Sequence, residues 1–138
     1  MSFDERLKST IFTELLGKTI VAISGAETGS GEIHFICSDN SHFLMYHDQD
    51  CCECVLVEDV CGDVDTLIGT PILLAEKFTE EGEPLDSWDE SHTWTFYRLA
   101  TVKGYVTIRW YGTSNGYYSE SVDFAEIICK ARINNEQI

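Results

Sequence analysis

Over the first seventeen residues apolar side chains recur at every fourth position, Phe3, Leu7, Ile11 and Leu15, and the run stops at Gly17. That spacing matches one face of an α-helix, and Ser2 followed three residues later by Glu5 has the form of a capping box. One amphipathic N-terminal helix is predicted. After Lys18 the period changes. Residues 19–24, 32–38 and 42–47 are short runs rich in β-branched and aromatic side chains, separated by a glycine-rich segment at 25–31 and a turn at Asp39-Asn40. They read as a meander of antiparallel strands.

Further along, 55–60 reads as a short strand, 63–68 as a helical turn closed by Gly69, and 72–78 as another strand. The segment 79–92, acidic and carrying Gly82 and Pro84, reads as a mobile surface loop. Residues 93–101 and 105–111 form two strand-like runs joined through Lys103-Gly104, and a second turn at Asn115-Gly116 leads into 117–124, again strand-like. Within 105–111, Val106, Ile108 and Trp110 share one face and Tyr105, Thr107, Arg109 and Tyr111 the other. The first set is core by its chemistry. The expectation is a single domain over residues 1–138 of the α+β or mainly-β class, an antiparallel meander sheet with one N-terminal helix.

Length and composition fit this picture. A chain of 138 residues with 43% apolar side chains is long enough for one core and too short for two. Charge adds something new. Against 24 acids stand 9 Lys and Arg, a formal charge of -15. From Lys18 to Lys77 there is no other Lys or Arg, while eleven acids occupy that span and six more lie between Glu80 and Glu90. Such a field repels phosphate, which argues against direct contact with nucleic acid or an anionic membrane and favours a basic protein partner or a cation. Met1–Arg6 has no apolar stretch of the secretory kind, and no apolar run nears the ~20 residues that a bilayer requires. The six cysteines are therefore expected to be reduced thiols in the cytoplasm.

Three patterns invite chemistry. The first is His47-Asp48-Gln49-Asp50-Cys51-Cys52-Glu53-Cys54, where His47, Gln49, Asp50, Cys51, Cys52 and Glu53 are candidate ligands for a metal or a small molecule. Cys51 and Cys54 have the spacing of one zinc-binding pair, but no second pair follows, and in an extended segment Cys51 and Cys52 would point to opposite faces. A catalytic cysteine is disfavoured, since Asp48, Asp50 and Glu53 oppose a thiolate. The second is Gly112-Thr113-Ser114-Asn115-Gly116, which has the form of a nucleophile elbow but lies between strands, not between a strand and a helix. No complete catalytic constellation is present, and an enzyme is not expected. The third is a surface of Tyr105, Arg109 and Tyr111, with Tyr117 and Tyr118 across the second turn, of the residue types that anchor protein interfaces.

The strings Leu15–Ile20, His47–Glu53, Leu67–Leu73 and above all Gly104–Tyr118 resemble a family of small uncharacterised domains encoded by bacteriophages and bacterial genomes. The resemblance covers most of the chain. It implies a phage or mobile-element setting and no established activity. Taken with the charge, it points to a non-enzymatic binding protein that engages a basic host protein. A metal- or ligand-binding module centred on His47–Glu53, with zinc as its ion, is the alternative.

Overall fold

Val106, Ile108 and Trp110 are buried, as their alternation requires. In the computed structural model, which describes residues 5–129, they belong to β8 (Gly104–Ser114), paired along its whole length with β7 (Ser91–Thr101). β5 (Cys54–Cys61) lies on the other side of β8, and β6 (Leu74–Glu80) on the far side of β7. This gives a four-stranded sheet of order β5-β8-β7-β6. A five-stranded sheet of order β1-β9-β4-β3-β2 takes the remaining strands: β1 (Glu5–Ser9), β2 (Ile20–Ser24), β3 (Glu32–Cys37), β4 (His42–Tyr46) and β9 (Asp123–Cys129). All of these ladders are antiparallel.

One apolar cluster joins the two sheets. Phe35, Phe43, Met45 and Phe124 come from one side, and Val57, Tyr97, Leu99, Ile108 and Trp110 from the other. The Trp110 indole N–H donates to Met45 Sδ at 3.2 Å, so the buried polar edge of the largest core side chain has a partner from the facing sheet. The class is mainly β.

The expected N-terminal helix is not formed. Ser2 and Phe3 lie outside the described residues, and Glu5–Ser9 is a strand with Leu7 opposite Ile127. Local spacing favoured a helix, but β9 pairs with this segment along its whole length and satisfies the backbone groups on that side. Among the described residues up to Gly17 only Phe12–Leu15 is helical, as a short 3-10 turn that buries Phe12 and Leu15, and the turn expected at 63–68 forms as a second 3-10 segment, Val64–Leu67. A second correction concerns 117–124. These residues do not return beside β8. The chain leaves the four-stranded sheet after Ser114 and enters the other one as β9, between β1 and β4.

The acidic segment also differs from expectation. Thr79 and Glu80 pair with Thr95 and Trp94, which leaves 81–90 as the connection. That connection is tied down. The Trp94 indole donates to the Glu83 carbonyl at 2.9 Å, His92 Nε2 to the Gly82 carbonyl at 3.0 Å, and the Leu85 N–H to the Tyr111 hydroxyl at 2.9 Å.

Candidate binding face and the cysteine loop

Alternation along β6, β7 and β8 sends a second set of side chains away from the core. Phe78 stacks on Phe96 with ring centroids 4.9 Å apart, and Arg98 lies over Phe78. Trp94 meets Tyr111 at 4.5 Å, and the Arg109 guanidinium sits 5.3 Å from the centre of the Trp94 ring. Tyr105 stands at the edge of this face with 69% of its surface exposed. The result is an aromatic sheet face with Arg109 in its middle.

β5 changes register against β8 between Val57 and Asp59. A bulge places two residues of one strand against one of the other, and here it brings two carboxylates to Arg109. Glu58 Oε1 is 2.7 Å from Arg109 Nε and 2.5 Å from Nη2, and Asp59 Oδ2 is 3.7 Å from Nη2. Beside them is a pocket of about 410 Å³ bounded by Asp59, Cys61, Gly62, Phe96, Tyr105, Thr107 and Arg109. Gly62 has φ of +111°, and a Cβ there would lie 2.6 Å from the Tyr105 carbonyl oxygen, so this corner needs glycine.

The 81–90 connection closes over one end of the face. Tyr111 donates its hydroxyl to Asp89 Oδ2 at 2.7 Å, and burial, followed by that contact, pushes its pKa up to about 12. From the same connection Leu85 and Trp88 project outward, Trp88 with 87% of its surface exposed. Glu80 and Glu83 border a second hollow beside Trp94 and Phe96. Among the described residues Glu80, Glu83, Asp86 and Asp89 have no ion pair with Lys or Arg.

A separate arrangement occupies residues 47–54. The Glu53 side chain is fully buried and acts as a local acceptor: Oε2 takes the Asp50 N–H at 2.8 Å and His47 Nε2 at 2.7 Å, and Oε1 takes the Cys51 N–H at 2.8 Å. Gln49 donates to the Glu53 carbonyl at 2.6 Å. Burial opposes ionisation of Glu53, but the donors outweigh it and hold its pKa at about 2. His47 places Nδ1 2.6 Å from the Ser121 carbonyl, so both ring nitrogens face acceptors and the imidazole is held as the cation. Its burial works against the charge, and the contacts with Glu53 and Ser121 more than offset it, raising the pKa above 6.5. Cys51 and Cys52 point outward from this bend with their sulfurs 3.1 Å apart. The segment is not extended, and the two thiols share a side.

Both arrangements lie within one stretch of sequence. The family model described as Domain of unknown function (DUF7448) matches residues 13–124. The chain belongs to this family. No curated protein and no solved structure matches it. The DUF7448 match takes in the aromatic face, the tied acidic connection and the cysteine loop, and leaves β1 and all but the start of β9 outside.

In this DUF7448 chain the candidate residues fall into two groups. Tyr105, Arg109 and Tyr111 share the aromatic face. His47, Gln49, Asp50, Cys51, Cys52 and Glu53 form the loop, with Tyr118 beside them, since contact with the Cys51 thiol is the first cause raising the Tyr118 phenol. Tyr117 packs edge-on against Tyr118 and is exposed. His47 and Glu53 bind each other, and among the described residues no group of three or more His, Cys, Asp or Glu is placed to hold a metal ion. Nor is any described helix long and apolar enough to cross a membrane. Sequence reasoning missed Trp94, Phe96 and Phe78. The signal was present: in 93–101 the core set Thr95, Tyr97 and Leu99 leaves Trp94 and Phe96 on the opposite face.

Proposed function

We propose that this DUF7448 protein is a non-enzymatic binding protein of phage or mobile-element type, acting in the cytoplasm, and that the outer face of the β5-β8-β7-β6 sheet engages a basic protein. One observation carries the reading. Carboxylates from β5, β6 and the 81–90 connection flank a single aromatic surface, and of the two cations on it, Arg98 over Phe78 and Arg109 beside Trp94, Arg109 is already paired to Glu58. Aromatic side chains supply contact area and cation–π partners for incoming Lys and Arg, and the surrounding acids supply long-range attraction. Exposed Trp88 and Leu85 add apolar anchors at the same end. The phage setting rests on the sequence strings from Leu15 to Tyr118 described above.

The test is titration with a Lys/Arg-rich peptide across a range of salt. Affinity should fall steeply with ionic strength, and Glu80→Gln combined with Glu83→Gln should weaken it about tenfold. Affinity indifferent to salt, or unchanged by those substitutions, refutes the reading. The metal-site alternative has less support, because a metal would have to displace the contact between His47 and Glu53.

A further inference from the structure

We infer that Cys51 and Cys52 form a thiol–disulfide exchange site, which a small organic disulfide converts into a ring disulfide between the two adjacent residues. This rests on the cysteine loop alone and is independent of the basic-partner reading.

Neighbouring residues of an extended chain present their side chains to opposite faces, which keeps consecutive sulfurs apart. Here the backbone bends at residues 51 and 52, and the sulfurs lie 3.1 Å from each other. The bend is held from inside. Glu53 takes the N–H groups of Asp50 and Cys51, His47 fixes Glu53, and Gln49 Nε2 reaches the carbonyls of Cys51 and Glu53 at 3.3 and 2.6 Å. A buried ion pair thus keeps two thiols together while both remain open to solvent. Forming the bond requires the sulfurs to close from 3.1 Å to the ~2.05 Å of a disulfide.

The exchange balances as follows. The Cys51 thiolate attacks one sulfur of the small disulfide, breaks its S–S bond and expels one small thiolate. The Cys52 thiolate then attacks Cys51 Sγ in the mixed disulfide and expels the second. Two protein thiols are oxidised, one small disulfide is reduced to two small thiols, and the two thiol protons pass to them. Both sulfurs are exposed, so the same exchange runs with either cysteine attacking first and the other closing the ring. Asp48 and Asp50 flank the pair on exposed positions, and no Lys or Arg occurs from residue 19 to 76. A cationic disulfide is therefore preferred to an anionic one.

The experiment uses the reduced full-length protein with cystamine and, separately, glutathione disulfide, followed by intact mass and disulfide mapping. The wild type should lose two hydrogens and show a Cys51–Cys52 link. Cystamine should act about tenfold faster at low ionic strength, a margin that high salt erodes. Cys52→Ser should stop at a mixed disulfide on Cys51, and Cys54→Ser should close as the wild type does. A wild type that accumulates mixed disulfides without closing, or that links Cys51 or Cys52 to Cys54 or Cys61, overturns the site. Equal rates for the two disulfides overturn its charge selectivity.

Discussion

At the scale of single residues, Glu53 is the side chain on which most local structure depends, since one carboxylate serves two backbone amides and an imidazolium. Its linkage to pH follows from the two shifts. The raised pKa of His47 makes its contribution complete below 6.5, and that contribution is lost as pH climbs through the folded value. The depressed pKa of Glu53 makes its contribution complete above 4.5, and it is lost as pH drops toward about 2. The pair is thus fully stabilising only between 4.5 and 6.5. Glu53→Gln should lower Tm by about 5 °C or more inside that window, with a smaller difference on either side, as measured by thermal unfolding across pH. Arg109 makes a contrasting case. Its side chain is 39% exposed, and exposed ion pairs contribute roughly 0–1 kcal/mol. Arg109→Gln should leave stability within about 1 kcal/mol of wild type while tightening a Lys/Arg-rich peptide several-fold, because it removes one of the two cations, Arg98 and Arg109, from an acidic face. Calorimetric titration beside urea unfolding checks both halves.

At the scale of elements, the tie between β8 and the 81–90 connection passes through a single hydroxyl. Tyr111→Phe removes both the Leu85 and the Asp89 hydrogen bonds. Faster amide exchange and proteolysis within 81–90 should follow, at a cost of about 1 kcal/mol in global stability. Elements whose partners lie nearby in sequence were legible in advance. The β7–β8 pair could be read from Val106, Ile108 and Trp110, and the β5 bulge is visible in hindsight, because Val55 and Val57 alternate and the next apolar residue falls at Val60. What escaped were segments whose partners are distant. β1 carries a helical spacing and becomes a strand only because β9 lies beside it, and nothing local announces that Asp123 opens a strand of the other sheet. The cysteine loop was legible as a cluster of residue types. That Glu53 turns inward, and so brings two thiols together, depends on Ser121 and Asp123 across the fold, through the Ser121 carbonyl to His47 and the Asp123 carboxylate to the Asp48 N–H.

At the scale of the whole molecule, a charge of -15 acts twice. Self-repulsion works against the compact state, whereas the same field draws in a basic partner. Added salt should therefore raise Tm and weaken peptide binding, two opposite trends from one cause. Differential scanning calorimetry and binding titrations in the same salt series would expose any mismatch. The order in which the strands are made has a further consequence. β9 is the last described strand along the chain, yet it occupies an inner place in its sheet, between β1 and β4. During synthesis on the ribosome, β1 emerges before the other described strands and waits without its neighbour until β2 to β8 have been translated. The β2-β3-β4 hairpins and the β6-β7-β8 hairpins can form as they appear, but the two halves of the five-stranded sheet stay apart until β9 slots in. A nascent chain stalled before Asp123 should consequently resist protease across β6, β7 and β8 and remain susceptible at Glu5–Ser9.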